Sequence, residues 1–175
     1  PHHPEREASA MPTHIVHTIP PVYNARSRVL ILGTMPSPKS REQGFYYGHP
    51  QNRFWRALAA ALDEPAPQTV PEKRALALRR GIALWDVLAS CDIEGASDAS
   101  IQNPVANDLT PILAAADIRA VFTTGRRAAG LYQTHIRPRT GLSALALPSP
   151  SPANCACSFE RLVEAYRAVL DYLED

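Results

Sequence analysis

Short, continuously apolar runs recur along this chain, and they restrict its fold more than any other feature. The runs are RVLILG (28–33), IALWDVL (82–88), IRAVFTTG (118–125) and LSALALPS (142–149). Runs of this length without polar alternation are typical of strands that are buried on both faces, as in a parallel sheet. The sequence therefore predicts four such strands, although the length of the 82–88 run also permits a helical turn.

Helical periodicity marks the segments between these runs. In NRFWRALAAALDE (52–64) the apolar residues return every three or four positions, which places them on one face. The other predicted helices are residues 72–80, a short helix from Asp108 or Thr110 to Ala116, residues 126–133 and residues 158–173. Residues 92–107 are polar and small, and they predict a loop. Alternating strands and helices predict an α/β three-layer sandwich, with a four-stranded, mostly parallel sheet and helices on both faces.

The length of 175 residues fits one domain. We expect residues 1–10 to be a tag-like or disordered N-terminus, with Met11 as an alternative natural start, and residues 11–175 to form a single domain. The N-terminal region has no apolar core typical of a signal peptide, and no apolar run approaches the ~20 residues of a membrane span. Three cysteines without an export signal favour a reducing compartment, so we expect a prokaryotic cytoplasmic protein.

The charge balance permits a nucleic-acid partner without requiring one. Net charge is only +1, and Lys39 and Lys73 are the only lysines among 18 basic residues, so the others are arginines. Arginine pairs stand at 79–80 and 126–127. Their guanidinium groups suit phosphate, although arginines of this kind also occur on ordinary solvated surfaces.

Three segments follow predicted strands and would meet at one edge of the sheet. They are GTMPSPKSR (33–41), TTGRR (123–127) and LPSPSPAN (147–154). Ligands of open α/β sheets bind at the carboxyl ends of the strands. The first segment lacks the spacing of a phosphate loop, and its prolines remove backbone donors, so we expect it to form a rigid wall.

The segment GFYYGHPQNRFW (44–55) combines rings with polar side chains. Aromatic faces stack on flat heterocycles, and an amide such as Asn52 both donates and accepts hydrogen bonds. The segment enters a helix near Asn52, where backbone N–H groups favour an anion. Phe54 and Trp55 begin the amphipathic face, and we expect them to belong to the core.

The order VLILGTMPS, GFYYGHPQNRFW, LPSPSPAN and FERLVEAY resembles the uracil-DNA glycosylase superfamily. It is most similar to the branch of hypoxanthine-DNA glycosylases, and its HP-x-NRFW portion is also similar to mismatch-specific uracil glycosylases. The resemblance spans residues 29–167. It implies a monomer that acts on DNA containing a deaminated base, flips that base out and replaces it with water, without a metal or other cofactor.

The resemblance also implies roles for residues. Asn52 matches the catalytic amide that holds the water or the departing base. Tyr47 matches the ring that stacks on the flipped base, with Phe45 or Tyr46 as the alternative. The other residues placed against the base are Thr34, Met35, His49 and Thr124. Those placed against the DNA are Ser37, Lys39, Arg41, Ser149, Ser151 and Asn154.

Three positions depart from the superfamily pattern, and one is Thr124 in the TTGRR loop, where relatives are expected to place an amide. Met35 stands where relatives often carry the Asp or Asn that orients the water, and Ser149 stands where they often carry His or Asn. Asp86 is an alternative water-orienting carboxylate. For His49, which precedes Pro50, the alternative to contact with the base is a structural role. These departures leave open a catalytically silent DNA-binding or damage-sensing domain.

Other reaction classes find less support in the sequence. Lys39 is the only lysine in the motifs, so a Schiff-base lyase step is not expected. An unrelated small-molecule hydrolase would need a nucleophile elbow or a metal-ligand set, and the sequence offers neither pattern.

Overall fold

The computed structural model describes residues 12–173 and contains two sheets. In chain order the strands are β1 (Thr13–Val16), β2 (Val29–Gly33), β3 (Ile82–Asp86), β4 (Leu88–Ile93), β5 (Gln102–Ala106), β6 (Ala120–Thr124) and β7 (Ala144–Leu147). The α-helices are α1 (Pro38–Gln43), α2 (Phe54–Ala61), α3 (Val70–Arg79), α4 (Thr110–Ala115), α5 (Arg126–His135), α6 (Arg137–Thr140) and α7 (Phe159–Tyr166). Two 3₁₀ helices cover Asp98–Ser100 and Arg167–Tyr172.

The larger sheet has the order β3–β2–β6–β7, and all of its strand pairs are parallel. Both faces of β2 are buried: Val29 and Ile31 face one hydrophobic cluster, and Leu30 and Leu32 face another. Helices α2, α3 and α7 supply the first cluster, whereas α4, α5 and the smaller sheet supply the second. The predicted α/β sandwich with helices on both faces of a four-stranded parallel sheet is confirmed.

The smaller sheet contradicts the predicted loop at 92–107. It is antiparallel, in the order β1–β4–β5, and the end of β4, a 3₁₀ turn and β5 lie within that segment. Strand β5 lies at a sheet edge, has exposed residues and contains Pro104. Such a strand lacks the apolar run of a buried strand, and proline is tolerated at an edge.

The 82–88 run, predicted as one strand, is divided between two strands, because the chain leaves the larger sheet after Asp86 and enters β4 at Leu88.

Two other segments differ from the sequence-based expectation. The proline-stiffened segment 33–41 contains the start of α1, where Ser37 caps the helix by accepting a hydrogen bond from Ser40 N. Pro38 fits there because the first helical turn needs no N–H donor. The last helix changes to 3₁₀ geometry after Tyr166. The prediction for residues 1–10 lies outside the described residues.

Between residues 12 and 173, no helix is long and apolar enough to cross a membrane.

Burial on both faces of β2 makes a prediction about stability. Leu30→Ala and Ile31→Ala, which delete side chains from opposite faces, should each lower the free energy of unfolding by about 2–5 kcal/mol. Leu145→Ala on β7, where the side chain is 45% exposed, should change it by no more than about 0.5 kcal/mol. Urea denaturation measures all three, and a small effect at either β2 position would contradict a layer on that face.

Candidate active site

A cleft of about 1310 Å³ opens where the four parallel strands end. Its walls include residues 33–37 at the end of β2, residues 124–126 at the end of β6 and residues 146–154 at the end of β7. Asp86 at the end of β3, residues 95–99 and three residues of the aromatic segment, Tyr47, His49 and Asn52, also line it. The three segments that the sequence placed at this edge are therefore brought together.

Gly33 forms the floor of the cleft, and its missing side chain leaves space for three polar groups. A Cβ atom at Gly33 would lie 2.5 Å from Asp86 Oδ1, 3.2 Å from the Tyr47 hydroxyl and 3.6 Å from Thr124 Oγ1. Asp86 and Thr124 are themselves buried. The ends of three strands can therefore approach one another only because this position has no side chain.

Tyr47 is held rigidly at the base of the cleft. Its backbone adopts the left-handed region with φ of 54°, and its ring stacks on Phe54 with a centroid distance of 3.8 Å and an interplanar angle of 13°. Its hydroxyl lies 3.0 Å from Thr124 Oγ1. Burial, reinforced by the charge of Asp86, raises the pKa of Tyr47 above its usual range, so the phenol keeps its proton. With one face covered by Phe54, the opposite face is the one that can meet a flat ligand.

Asn52 lines the same cleft and precedes Arg53, the N-cap residue of α2. Its Oδ1 accepts a hydrogen bond from Phe54 N, in the first residue of the helix, at 2.9 Å. This contact fixes the side chain, whose NH₂ group can donate two hydrogen bonds. His49 is fixed nearby, since its Nδ1 accepts from Gln51 N at 3.0 Å and the proton of the neutral ring then resides on Nε2.

Phe45 and Tyr46 do not reach the cleft, which corrects the expectation that either ring could stack on a base. Phe45 is 1% exposed and Tyr46 is 2% exposed. Phe45 packs on Trp55, and the Tyr46 hydroxyl donates to the carbonyl oxygen of Pro20 at 2.9 Å. Both rings belong to the hydrophobic core, as do Phe54 and Trp55, for which core packing was expected.

The first motif places its predicted residues along one wall. Thr34 is buried, and its side chain hydrogen-bonds to the carboxyl group of Asp98 at the rim. Met35 is half-buried against the core and lines the cleft, and Ser37 lines it while capping α1. Met35 brings no charge and only a weak acceptor to this wall.

Lys39 and Arg41 are not part of the cleft wall. Lys39 is exposed beside Glu42, and Arg41 donates to the carbonyl oxygen of Pro36 at 2.9 Å, so its guanidinium braces the first motif. The exposed arginines that line the cleft are Arg126 and Arg161. The sequence marked Arg126 only as half of an arginine pair, although its place directly after β6 pointed to this edge. Arg161 lies on α7, within the FERLVEAY segment, and the sequence assigned it no role.

The loop of residues 147–154 is braced by its own hydrogen bonds. Ser149 Oγ accepts from Ser151 N at 3.2 Å, Ser151 Oγ accepts from Ala153 N at 3.1 Å, and Asn154 Nδ2 donates to Ser149 O at 3.0 Å. All three predicted residues line the cleft. Their polar groups hold the shape of the loop, so the loop is rigid where it faces a ligand.

Arg53, which the sequence did not single out, joins this loop to α2. Its guanidinium donates to the carbonyl oxygens of Cys157 at 2.6 Å, Asn154 at 3.1 Å and Ser151 at 3.4 Å. Its backbone N–H donates to Pro150 O at 3.1 Å. A guanidinium can serve several carbonyls at once because its donors form a fixed fork. Arg53 therefore sets the width of the cleft between Asn52 and the loop.

His17 is a second residue that no motif indicated. It follows β1, and its Nε2 lies 2.8 Å from Asp86 Oδ2. The side chains are 2% and 6% exposed. The contact joins the smaller sheet to the floor of the cleft.

The crowding at Gly33 and the open space at Gly130 predict opposite effects on stability for substitution of these two glycines. Gly33→Ala should lower the free energy of unfolding by about 1–3 kcal/mol, because the new methyl group must displace the Asp86 carboxylate. Gly130→Ala in α5, where an added Cβ meets nothing within 4 Å, should raise it by up to about 1 kcal/mol. Chemical denaturation of both variants measures the difference, and equal effects would contradict the close approach at Gly33.

Comparison with known proteins agrees with this geometry. The model of the Uracil DNA glycosylase superfamily matches residues 20–173. A Methanosarcina acetivorans protein named hypoxanthine DNA glycosylase is 34% identical over 137 residues, covering 77% of this chain and 85% of that protein. A Methanosarcina barkeri protein with the same name shows the same identity and coverage.

A solved structure shows the same fold. The solution NMR structure of a Methanosarcina acetivorans protein, provisionally described as a uracil DNA glycosylase, superimposes with a TM-score of 0.78 and 31% identity. The match covers 93% of this chain and all of the other. With the family model spanning nearly all described residues, these findings show that the chain belongs to the uracil DNA glycosylase superfamily.

Proposed function

We propose that this protein is a monofunctional DNA glycosylase that releases hypoxanthine from DNA, the first step of base excision repair, with uracil and xanthine as further substrates. The observation that carries the proposal is that the Tyr47 ring and the Asn52 amide line one cleft at the carboxyl edge of the sheet. The names of two relatives, hypoxanthine DNA glycosylase in both cases, support the choice of base.

The cleft suits a base that has left the duplex. A base inside the helix is out of reach, so the enzyme must first turn it out of the stack. The free face of Tyr47 then offers a stacking surface. The ring of Phe54, whose centroid lies 3.8 Å from that of Tyr47, holds the Tyr47 ring in place from the other side. Hypoxanthine presents acceptor atoms along one edge, as guanine does with O6 and N7. The NH₂ group of Asn52 supplies donors to such an edge.

Cleavage of the glycosidic bond leaves negative charge on the departing base and positive charge on the sugar. Donors that are already in place stabilise the developing anion, and Asn52 is held in place by its hydrogen bond from Phe54 N. The part of the cleft wall that the structure describes contains no lysine amine. A Schiff-base intermediate therefore has no nucleophile there, which supports a monofunctional reaction.

The strand that carries the base would lie along the rim of the cleft. Arg126 and Arg161 place positive charge there, although the chain as a whole carries only +1. We assign phosphate contacts to these two arginines, to the braced loop with Ser149, Ser151 and Asn154, and to Ser37. Lys39 stands farther along α1 and can contact only a longer stretch of the backbone. The protein is proposed to act as a monomer.

Base release tests the proposal directly. Duplexes that contain a single deoxyinosine, uracil or xanthine are incubated with the protein, and abasic sites are then cleaved with alkali. Strand scission at deoxyinosine is the expected result. Retarded but intact duplex in a gel-shift experiment would instead identify a catalytically silent DNA-binding domain.

Substitution of Asn52 tests its role as the donor. Asn52→Asp keeps an acceptor for Phe54 N but loses the NH₂ group, and it should slow release of hypoxanthine by about 100-fold or more while leaving the melting temperature nearly unchanged. Asn52→Ala should lose release to a similar extent, with a cost of about 1 kcal/mol in stability from the lost hydrogen bond to Phe54 N. Gln51→Ala, on the exposed neighbour, serves as the matched control. Full activity of Asn52→Asp would remove Asn52 from the reaction.

The rim arginines predict a change in salt dependence. Arg126→Ala and Arg161→Ala should each weaken binding to the deoxyinosine duplex and reduce the slope of log affinity against log salt by about 1, because one phosphate contact is lost. Arg137→Ala is the control, since Arg137 is exposed, does not line the cleft and hydrogen-bonds to Gln133. Fluorescence anisotropy at several salt concentrations measures the slopes, and an unchanged slope for both rim variants would contradict the assignment.

A further inference from the structure

A buried carboxylate faces the cleft and has no part in the mechanism described so far. Asp86 is 4% exposed, yet it belongs to the cleft wall. Burying a carboxylate is costly unless hydrogen bonds compensate it. The Asp86 carboxylate therefore needs a hydrogen-bond partner that compensates for its burial.

The partner is His17. Its Nε2–H donates to Asp86 Oδ2 at 2.8 Å, and the imidazole is almost wholly buried. His17 is itself held from behind, because its backbone N–H donates to Ala89 O at 2.8 Å and its ring meets Trp85 edge-on. This contact occupies one carboxylate oxygen and fixes the rotation of the group.

The other oxygen, Oδ1, points to the floor of the cleft. It would lie 2.5 Å from a Cβ atom at Gly33, the first residue of the GTMPS motif. The Tyr47 hydroxyl would lie 3.2 Å from the same point. Oδ1 is therefore beside the ring on which the base is proposed to stack.

We propose that Asp86 is the catalytic residue that binds and orients the attacking water through Oδ1, and that His17 is the positioning residue that holds Oδ2. This inference rests on the proposed glycosylase function and assigns its water site.

The reaction needs a hydrogen-bond acceptor for that water, and the other groups at the floor do not provide a comparable one. The carbonyl oxygen of Asn52 accepts from Phe54 N and is neutral, so it is a weaker acceptor than a carboxylate. Met35 offers only a thioether, which is a weak acceptor. The raised pKa of Tyr47 keeps its phenol protonated, so it is not a base.

Asp98 is the other carboxylate in the described wall of the cleft. It lies in the exposed 3₁₀ helix at the rim and hydrogen-bonds to the Thr34 side chain. It has no histidine partner comparable to His17 in its described contacts. Asp98 is exposed, which leaves Asp86 as the buried carboxylate of the described wall.

The chemical step balances with these groups. The water oxygen forms a bond to C1′ while the bond from C1′ to the base nitrogen breaks, and the bonding electrons leave with the base. One proton of the water passes to Asp86 Oδ1 and then to solvent. The base anion, stabilised by the Asn52 donors, takes up a proton from solvent, so the products are the abasic sugar and the neutral base.

Single-turnover kinetics separates the roles of the two residues. With enzyme in excess over a deoxyinosine duplex, Asp86→Asn should lower the rate constant at saturation by about 100-fold or more, with half-saturation within about threefold of wild type. His17→Leu should lower the rate constant by about 10-fold to 100-fold, because the carboxylate loses its orientation. His17→Gln keeps an N–H donor near the position of Nε2 and should restore most of the lost rate.

A second histidine–aspartate pair provides the matched control. His14 Nδ1 lies 2.8 Å from Asp92 Oδ1 on β1 and β4, with side chains 63% and 27% exposed, and neither residue lines the cleft. His14→Leu and Asp92→Asn should leave the rate constant unchanged. Thermal melting of every variant shows whether a lost rate follows lost folding.

If a substitution at Asp86 impairs folding, chemical rescue still tests whether the carboxylate takes part in the reaction. Asp86→Ala opens a space beside the water site, and added formate should then raise the rate of the folded fraction, as expected of a missing carboxylate and not of a purely structural residue. An Asp86→Asn rate within about threefold of wild type would overturn the assignment of the water site. Equal rates for His17→Leu and wild type would overturn the positioning role. Wild-type protein that leaves deoxyinosine intact would instead count against the proposed function itself.

Discussion

The absence of a side chain at Gly33 is the constraint on which the site depends. Parallel strands bring their carboxyl ends to one edge of a sheet, but that alone does not bring functional groups into contact. Here the Asp86 carboxylate and the hydroxyls of Tyr47 and Thr124 all surround the position that a Cβ atom of Gly33 would occupy. The polar floor of the cleft is therefore a property of packing at one residue, and the walls are arranged around it.

Arg53 connects two segments that lie about a hundred residues apart in the chain. Its guanidinium donates to three carbonyl oxygens of the loop after β7, while its neighbour Asn52 accepts a hydrogen bond from the first residue of α2. The HPQNRFW and LPSPSPAN segments thus form one unit. The distance between the amide of Asn52 and the braced loop is fixed by these contacts. Both the backbone N–H and the guanidinium of Arg53 donate to carbonyl oxygens of the loop.

The sequence predicted the parallel sheet well because both faces of its strands are buried, which leaves a continuous apolar run. It missed β5, whose edge position needs no such run. Adjacent rings in the aromatic segment looked alike in sequence, and the left-handed turn at Tyr47 separates the ring in the cleft from Phe45 and Tyr46 in the core. His17 and Arg161 escaped notice because their roles arise from contacts between distant elements.

The contact between His17, which follows β1, and Asp86 in the cleft wall extends the site toward the N-terminus. The superfamily match starts at residue 20, whereas His17 lies upstream of it and reaches Asp86 from the smaller sheet. Strand β1 pairs with β4 residue by residue, from Thr13 with Ile93 to Val16 with Ser90. A shortened protein cut at the family boundary would keep every recognisable motif and still lose the imidazole that contacts Asp86 at the floor of the cleft.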